Sequence, residues 1–286
     1  MTMTIVGSTV FGQKEDEIIS VDASVVLVNV TVTAKDGKFV GGLNQSQFKV
    51  FDDGAEQKID YFASESTPFA AVILIDTSGS MESRVSIARG AAIKFLDGLR
   101  GQDFAAVLNF DSKVKEIRPF STTRDMPDVF FDLKADGMTV LNDAIVEASK
   151  MLAARPEKRR AILVLSDGAD TQSKHNEEKA LKAASEANAT IYTVDMSSED
   201  TKPAERAAMQ GALKKFADKS GGTFVATPGG PDLRAAFARI ADELGNQYTI
   251  SYPAKEDGKY HTVRVDIAKP DLTIRTRKGY TAKKAN

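Results

Sequence analysis

Seven apolar residues in a row, 69–75, end on Asp76 and are followed at once by Thr77-Ser78-Gly79-Ser80. A run this apolar leaves no polar face for solvent. It therefore reads as a strand covered on both sides, in the middle of a parallel sheet. After the loop, Val85, Ala88, Ala92, Phe95 and Leu99 recur at helical spacing, and Gly101 lies just past the end. Strand, loop and helix in that order open an alternating layout that the middle of the chain repeats. Strand patterns at 104–110, 161–165, 191–194 and 223–226 alternate with helix patterns at 143–152, 177–188, 204–219 and 232–244. In the last helix Leu233, Phe237, Ile240 and Leu244 share a face, and Gly245 ends it. The alternation predicts an α/β fold with a doubly wound, mostly parallel, Rossmann-like sheet.

The flanks follow a different period. Residues 25–33 place Val26, Val28, Val30 and Val32 on one face and Asn29, Thr31 and Thr33 on the other, as a half-buried strand does. Asp36-Gly37 follows, a dipeptide expected to form a hairpin turn with both residues at positive φ. Phe48 and Val50, a turn at Asp52-Asp53-Gly54, and then Ile59 and Tyr61 extend this into an expected antiparallel meander. Beyond Gln247, strand residues Tyr248, Ile250 and Tyr252 lead to a second expected hairpin turn at Asp257-Gly258. Val263, Val265 and Ile267 then oppose Arg264 and Asp266, and Leu272 and Ile274 add another strand. Each flank holds too few strands for a core of its own. The halves 21–67 and 248–281 are therefore expected to build one smaller, all-β, sandwich-like domain into which residues 68–247 are inserted. The termini of compact domains often lie close together, which makes such an insertion feasible. Residues 1–20 are left as a leader. Its uncharged apolar stretch 3–13 lacks a basic start and is too short for a complete signal peptide, so it reads as a clipped signal remnant or a disordered leader.

Composition removes several chemistries. The chain has no cysteine, which excludes disulfides, thiolate nucleophiles and sulfur-ligated metals. With 38 basic and 40 acidic residues dispersed along 286, no basic stripe for nucleic acid stands out. No apolar run reaches the length of a membrane-spanning helix.

Three polar clusters follow buried strands or open helices, where open α/β sheets place their ligands. They are Asp76-Thr77-Ser78-Gly79-Ser80, Asp136-Gly137-Met138-Thr139 and Ser166-Asp167-Gly168. Each alone is ordinary, because Asp, Ser and Thr cap helices and Asp-Gly makes turns. Together they offer two carboxylates and three hydroxyls, an all-oxygen set suited to a hard cation such as Mg2+ or Mn2+ and poorly suited to zinc. Two aspartates neutralise a divalent ion without excess. The ion would then stay free to attract an acidic group from a partner.

With these residues in place, the segment from about Pro68 to Gln247 resembles a von Willebrand factor A (VWA) domain with a metal-ion-dependent adhesion site. The family's Asp-x-Ser-x-Ser motif is matched by Asp76, Ser78 and Ser80, its threonine by Thr139 and its later aspartate by Asp167. The flanks, including Gly42-Leu43, the stretch 48–54 and Arg277-Lys278-Gly279-Tyr280, resemble the bacterial VWFA-related proteins described from acidobacteria. The resemblance implies a non-enzymatic, adhesion-type protein-binding module that uses Mg2+, or Mn2+ or Ca2+ in its place. In the family the two serines and the threonine are direct ligands, the aspartates often act through water, and a partner's Asp or Glu completes the shell. It also implies an extracytoplasmic setting, secreted, periplasmic or on the cell envelope. Many relatives carry Gly-Gly-Thr where this chain has Asp136-Gly137-Met138-Thr139. Asp136 either adds charge near the ion or is a solvated turn residue, and Asp170 is either a rim residue or a helix-start acid.

Two other readings use the same features. A Mg2+-dependent haloacid-dehalogenase-like phosphatase also carries a nucleophilic aspartate after a strand, but it needs a general acid two residues on, and position 78 is serine. No nucleophile elbow or phosphate-binding loop is present, and His175 and His261 read as surface residues. An internal assembly module working with an ATPase or chelatase-type complex would share the A-like fold. The sequon Asn44-Gln45-Ser46 is short enough to arise by chance.

Overall fold

The structure, a computed structural model, describes residues 25–64, 67–198, 200–226 and 231–284, so the expected leader lies outside the described residues. In chain order the first strands are β1 (Val25–Ala34), β2 (Phe48–Asp52), β3 (Ala55–Gln57) and β4 (Tyr61–Ala63). The α/β segment follows with β5 (Phe69–Asp76), α1 (Val85–Asp97), β6 (Phe104–Phe110), β7 (Val114–Ser121), α2 (Asp128–Phe131) and α3 (Leu141–Ala153). It continues through β8 (Arg159–Ser166), α4 (Glu177–Glu186), β9 (Ala189–Asp195), α5 (Pro203–Ser220), β10 (Phe224–Ala226) and α6 (Pro231–Gly245). Four strands close the chain: β11 (Tyr248–Pro253), β12 (Tyr260–Ile267), β13 (Leu272–Arg275) and β14 (Gly279–Thr281).

The six-stranded sheet has the order β10-β9-β8-β5-β6-β7. Its strands run parallel except for β7, which pairs antiparallel with β6. Every residue of β5 is buried, as its apolar run predicts. The strand divides its side chains between two cores. Ala71, Ile73 and Ile75 pack with Phe95 of α1 and Phe237 of α6 on one face. Ala70, Val72 and Leu74 pack with Ile145 of α3, Ala184 of α4 and Phe216 of α5 on the other. This period of two within a wholly apolar strand is what a sheet with helices on both faces requires. The antiparallel β7 was not among the expected strands. Its Lys115, Glu116 and Pro119 carry little strand signal, yet an edge tolerates charge, proline and the register shifts seen against β6.

The remaining strands form two antiparallel sheets, β13-β1-β11-β4 and β14-β12-β2-β3. Each draws strands from both ends of the chain. Val26, Val28, Val30 and Val32 meet Phe48, Val50, Tyr248, Tyr252, Val263 and Val265 in one apolar cluster. Two connections differ from the expected meander. β4 leaves the β2–β3 hairpin and pairs with β11, while β11 and β12, expected to form a hairpin, lie in different sheets. The chain between β11 and β12 crosses from one sheet to the other, which lets Tyr252 and Val263 both face inward. The turns differ as well. Among the expected Asp-Gly pairs only Asp53-Gly54 has both residues at positive φ (48° and 83°), the conformation a two-residue hairpin prefers. At Asp36-Gly37 only the glycine does, because the Asp36 carboxylate instead accepts the Lys38 backbone N–H at 3.1 Å.

Candidate metal centre

Sheet register brings the first and third clusters to one level. Ile75 of β5 lies opposite Leu165 of β8, so Asp76 and Ser166 leave adjacent strands side by side at their carboxyl ends. Asp76 is fully buried. Its Oδ1 accepts the Ser78 backbone N–H at 2.9 Å, and its Oδ2 accepts the Ser166 hydroxyl at 2.6 Å. Ser166 Oγ in turn accepts the Gly168 N–H at 3.0 Å. Gly168 has φ +91°, and an added Cβ would stand 2.4 Å from the Met209 carbonyl oxygen, so the third loop needs glycine there. Ser78 Oγ and Ser80 Oγ lie 3.2 Å apart, a pair of neutral oxygens on one buried and one exposed residue of the loop.

The second cluster is tied to the first through backbone. Asp136 N–H donates to the Thr77 carbonyl at 2.8 Å, and Gly79 N–H donates to the Gly137 carbonyl at 3.2 Å. Thr139 is buried, with its N–H donated to Thr171 Oγ1 at 3.0 Å and its carbonyl accepting the Thr171 and Gln172 N–H groups at 3.0 Å. Those bonds fix the Thr139 backbone and leave the hydroxyl for other work. Asp167 is 4% exposed, and its Oδ1 accepts the Ala169 N–H at 3.1 Å.

The electrostatics of the pocket are unbalanced. Burial raises the Asp76 carboxyl to about 7, against the hydrogen bonds from Ser166 and Ser78, and the nearby Asp167 carboxylate raises it further. Among the described residues no Lys, Arg or His forms an ion pair with Asp76 or Asp167. Two buried carboxylates without a cationic side chain as partner, with the Ser78 and Ser80 hydroxyls in the loop that follows one of them, are oxygen donors of the kind a hard divalent ion takes.

The neighbouring residues resolve individually. Asp136 is exposed, and its Oδ1 accepts the adjacent Gly137 N–H at 2.7 Å, as a turn residue does. Asp170 accepts the Asn142 N–H at 2.7 Å and the Ser173 N–H at 3.1 Å. It is thus a helix-start acid, but for the first turn of α3 rather than for the helix that follows it. His175 Nδ1 lies 2.6 Å from Asp143 Oδ1. Ser166 belongs to the third cluster but not to the expected ligands, and its bond to Asp76 is the contact that sequence reasoning missed. Its signal was its place as the last residue of a buried strand, level with Asp76.

His261 corrects an expectation. It is 3% exposed rather than a surface residue, because it shares the inward parity of Val263 and Val265 in β12. Its Nδ1 lies 2.7 Å from Asp53 Oδ2 and its Nε2 lies 2.9 Å from Asp257 Oδ1. Asp52, Asp53 and His261 each present a ligand atom within 4.8 Å of the others, the spacing of a metal cluster. The Lys255 ammonium already occupies that space, 2.8 Å from Asp52 Oδ1, 3.2 Å from Asp53 Oδ2 and 3.3 Å from His261 Nδ1. The two negative charges are met by the protein's own cations, which sets this cluster apart from Asp76 and Asp167.

Solved structures share the fold at low identity. The vWF domain of the type V pili tip protein Mfa5 from Porphyromonas gingivalis is 15% identical over 62% of this chain and 95% of that one, with a TM-score of 0.51. A von Willebrand factor type A structure from Catenulispora acidiphila is 12% identical over 92% of this chain and 75% of that one, with a TM-score of 0.50. The PilB minor pilin from Streptococcus sanguinis is 15% identical over 63% of this chain and 62% of that one, at 0.49, so the match spans less than two thirds of that protein. No curated protein matches the sequence. Residues 71–169, which contain all three loops of the candidate centre, match the family model of the von Willebrand factor type A domain.

Proposed function

We propose that the chain is a divalent-cation-dependent protein-binding module of the adhesion type. Asp76, Ser78, Ser80, Thr139 and Asp167 hold Mg2+, or Mn2+ or Ca2+ in its place, and an Asp or Glu of a protein partner completes the coordination shell. The observation that carries this reading is the buried carboxylate of Asp76, which has no cationic side chain as partner among the described residues, in the same loop as the paired Ser78 and Ser80 hydroxyls. Both Asp76 oxygens already accept hydrogen bonds from the protein, which suits a charge that acts on the ion through water while the hydroxyls ligate it. With two aspartates the bound ion is neutralised but keeps its appetite for an anionic ligand. Residues 68–247 form the binding domain in this reading, and 21–67 with 248–281 form the β domain that presents it. An extracytoplasmic location follows by analogy with the pilus tip protein that shares the fold.

Mg2+ or Mn2+ should raise the melting temperature of the wild type and leave Asp76→Ala unchanged, since an ion that binds only the folded state stabilises it. An equal shift in both proteins sinks the site. Partner capture that survives EDTA sinks the bridging role.

A further inference from the structure

A concave site lies where helices α4 and α5 meet the edge strand β14. This cleft holds about 350 Å3, a volume in the lower range of small-ligand sites. Leu181 and Ala189 supply aliphatic wall, Tyr260 and Tyr280 supply aromatic wall, and the exposed Lys182 and Lys219 are among the lining residues. Tyr260 is 56% exposed at the end of β12, a large exposure for an aromatic ring. Arg277 forms part of the lining, and its guanidinium is engaged with the Leu27 carbonyl, Asn188 and Gly279. Glu178 is the one acidic residue among the lining groups, against Lys182, Lys219 and Arg277. A chain of formal charge -2 thus concentrates positive charge around an aromatic-walled cleft.

We propose that this cleft binds a small aromatic carboxylate. The ring lies between Tyr260 and the Leu181–Ala189 wall, and the carboxylate meets the Lys182 and Lys219 ammonium groups. Each element of the fit is visible separately. Apolar and aromatic walls bury a flat ring, and a few placed cations fix its orientation and sign. Lys182 is free to turn inward, since its contact with Glu186 is 3.9 Å long and both side chains are more than half exposed. The cleft joins α4 and α5 to the strand that carries Tyr280, so an occupant touches both the α/β unit and a β sheet.

The test uses 2-naphthoate and its neutral counterpart 2-naphthylmethanol as probes on the full chain, followed by methyl and amide NMR shifts. Saturable shifts at Leu181, Ala189 and Thr281 with 2-naphthoate, at least about tenfold weaker with the alcohol, are expected, the factor being that of one charge-assisted hydrogen bond. The double variant Lys182→Ala/Lys219→Ala should lose the same factor for the carboxylate and nothing for the alcohol. Both lysines are exposed, so the variant should melt with the wild type. Tyr260→Ala should weaken both probes. Equal binding of the two probes, retention of carboxylate affinity in the double variant, or shifts scattered outside the cleft would each overturn the proposal. None of these readouts involves the candidate metal centre, so its fate leaves this proposal standing or falling alone.

Discussion

Asp76 stands between two costs. Ionised, it is a buried carboxylate with no cationic partner. Protonated, it has one oxygen fewer to accept the bonds from Ser78 and Ser166. Its folded value of about 7 lies above the ordinary 3.8, so the folded protein holds a proton that the unfolded chain has released. Stability from this group is therefore highest below about pH 4 and declines as pH rises towards 7, by roughly 4 kcal/mol at most. A bound divalent ion removes that penalty by favouring the ionised form. The melting-temperature rise produced by Mg2+ should accordingly be larger at pH 8 than at pH 5.5, as scanning calorimetry at the two values would show; a rise that is the same at both pH values counts against Asp76 as a member of the site. Ser166→Ala removes the 2.6 Å bond that orients the carboxylate. It should weaken cation binding by about tenfold, the worth of one hydrogen bond to a charged group, when measured by isothermal titration.

Elements show how much of this was legible beforehand. In β12 the imidazole of His261 lies between two carboxylates, and its value is raised, first by the Asp257 bond, although burial opposes it. The stability it contributes is complete below its unfolded value of 6.5 and is lost as pH rises through the higher folded value. The melting temperature should therefore fall between pH 6.5 and 8.5, and His261→Gln should flatten that fall; an unchanged slope in the variant would assign the titration elsewhere. The alternation of β12 was readable from Val263 and Val265, and it places His261 inward two residues earlier. The expected surface position came from treating a histidine by its type rather than by its parity in the strand. The same distinction runs through the whole fold. A continuous apolar run marked β5, and helical spacing marked the buried faces of α1 and α6, because each of those residues touches one of the two cores. Neither could mark β7, whose position is set by pairing with β6, or the separation of β11 from β12, which depends on which sheet each strand completes. At the candidate centre the residue types and their order along the chain were legible. The Ser166 contact was not, because it depends on the register of β5 against β8. Backbone approach sets a further limit at Gly222, where an added Cβ would stand 2.0 Å from the Ile191 carbonyl oxygen. Gly222→Ala should cost about 2 kcal/mol or more in urea unfolding, since backbone must move to admit the methyl.

At the scale of the whole molecule, the α/β unit and the β13-β1-β11-β4 sheet meet at a buried carboxylate. Glu243, in the last turn of α6, is 4% exposed. Its Oε1 accepts from Tyr192 of β9 at 2.7 Å and from Thr31 of β1 at 3.0 Å, and it pairs with Arg275 of β13. Gln247 Nε2 donates to Tyr192 and Thr31, closing the network. Arg159 of β8, fully buried, donates to the Leu244 and Gln247 carbonyls and holds the same helix end from the sheet below. Strands of two sheets, β9 of the six-stranded sheet and the paired β1 and β13 of an antiparallel sheet, thus depend on a single side chain. Glu243→Ala leaves Tyr192 and Thr31 without their acceptor and Arg275 without its counterion, a loss of about 3 kcal/mol for a paired charge that is mostly shielded from water. Glu243→Gln keeps an acceptor for the two hydroxyls and loses only the charge, so it should cost about half as much. Because the node joins layers, the alanine variant should also uncouple them. Hydrogen exchange should show β1 and β11 amides losing protection while β5 amides keep theirs, since Glu243 bonds Thr31 of β1 directly, whereas the β5 amides are held by ladders to β6 and β8 on either side. A uniform loss across β1, β11 and β5 would mean that Glu243 supports global stability without linking the layers.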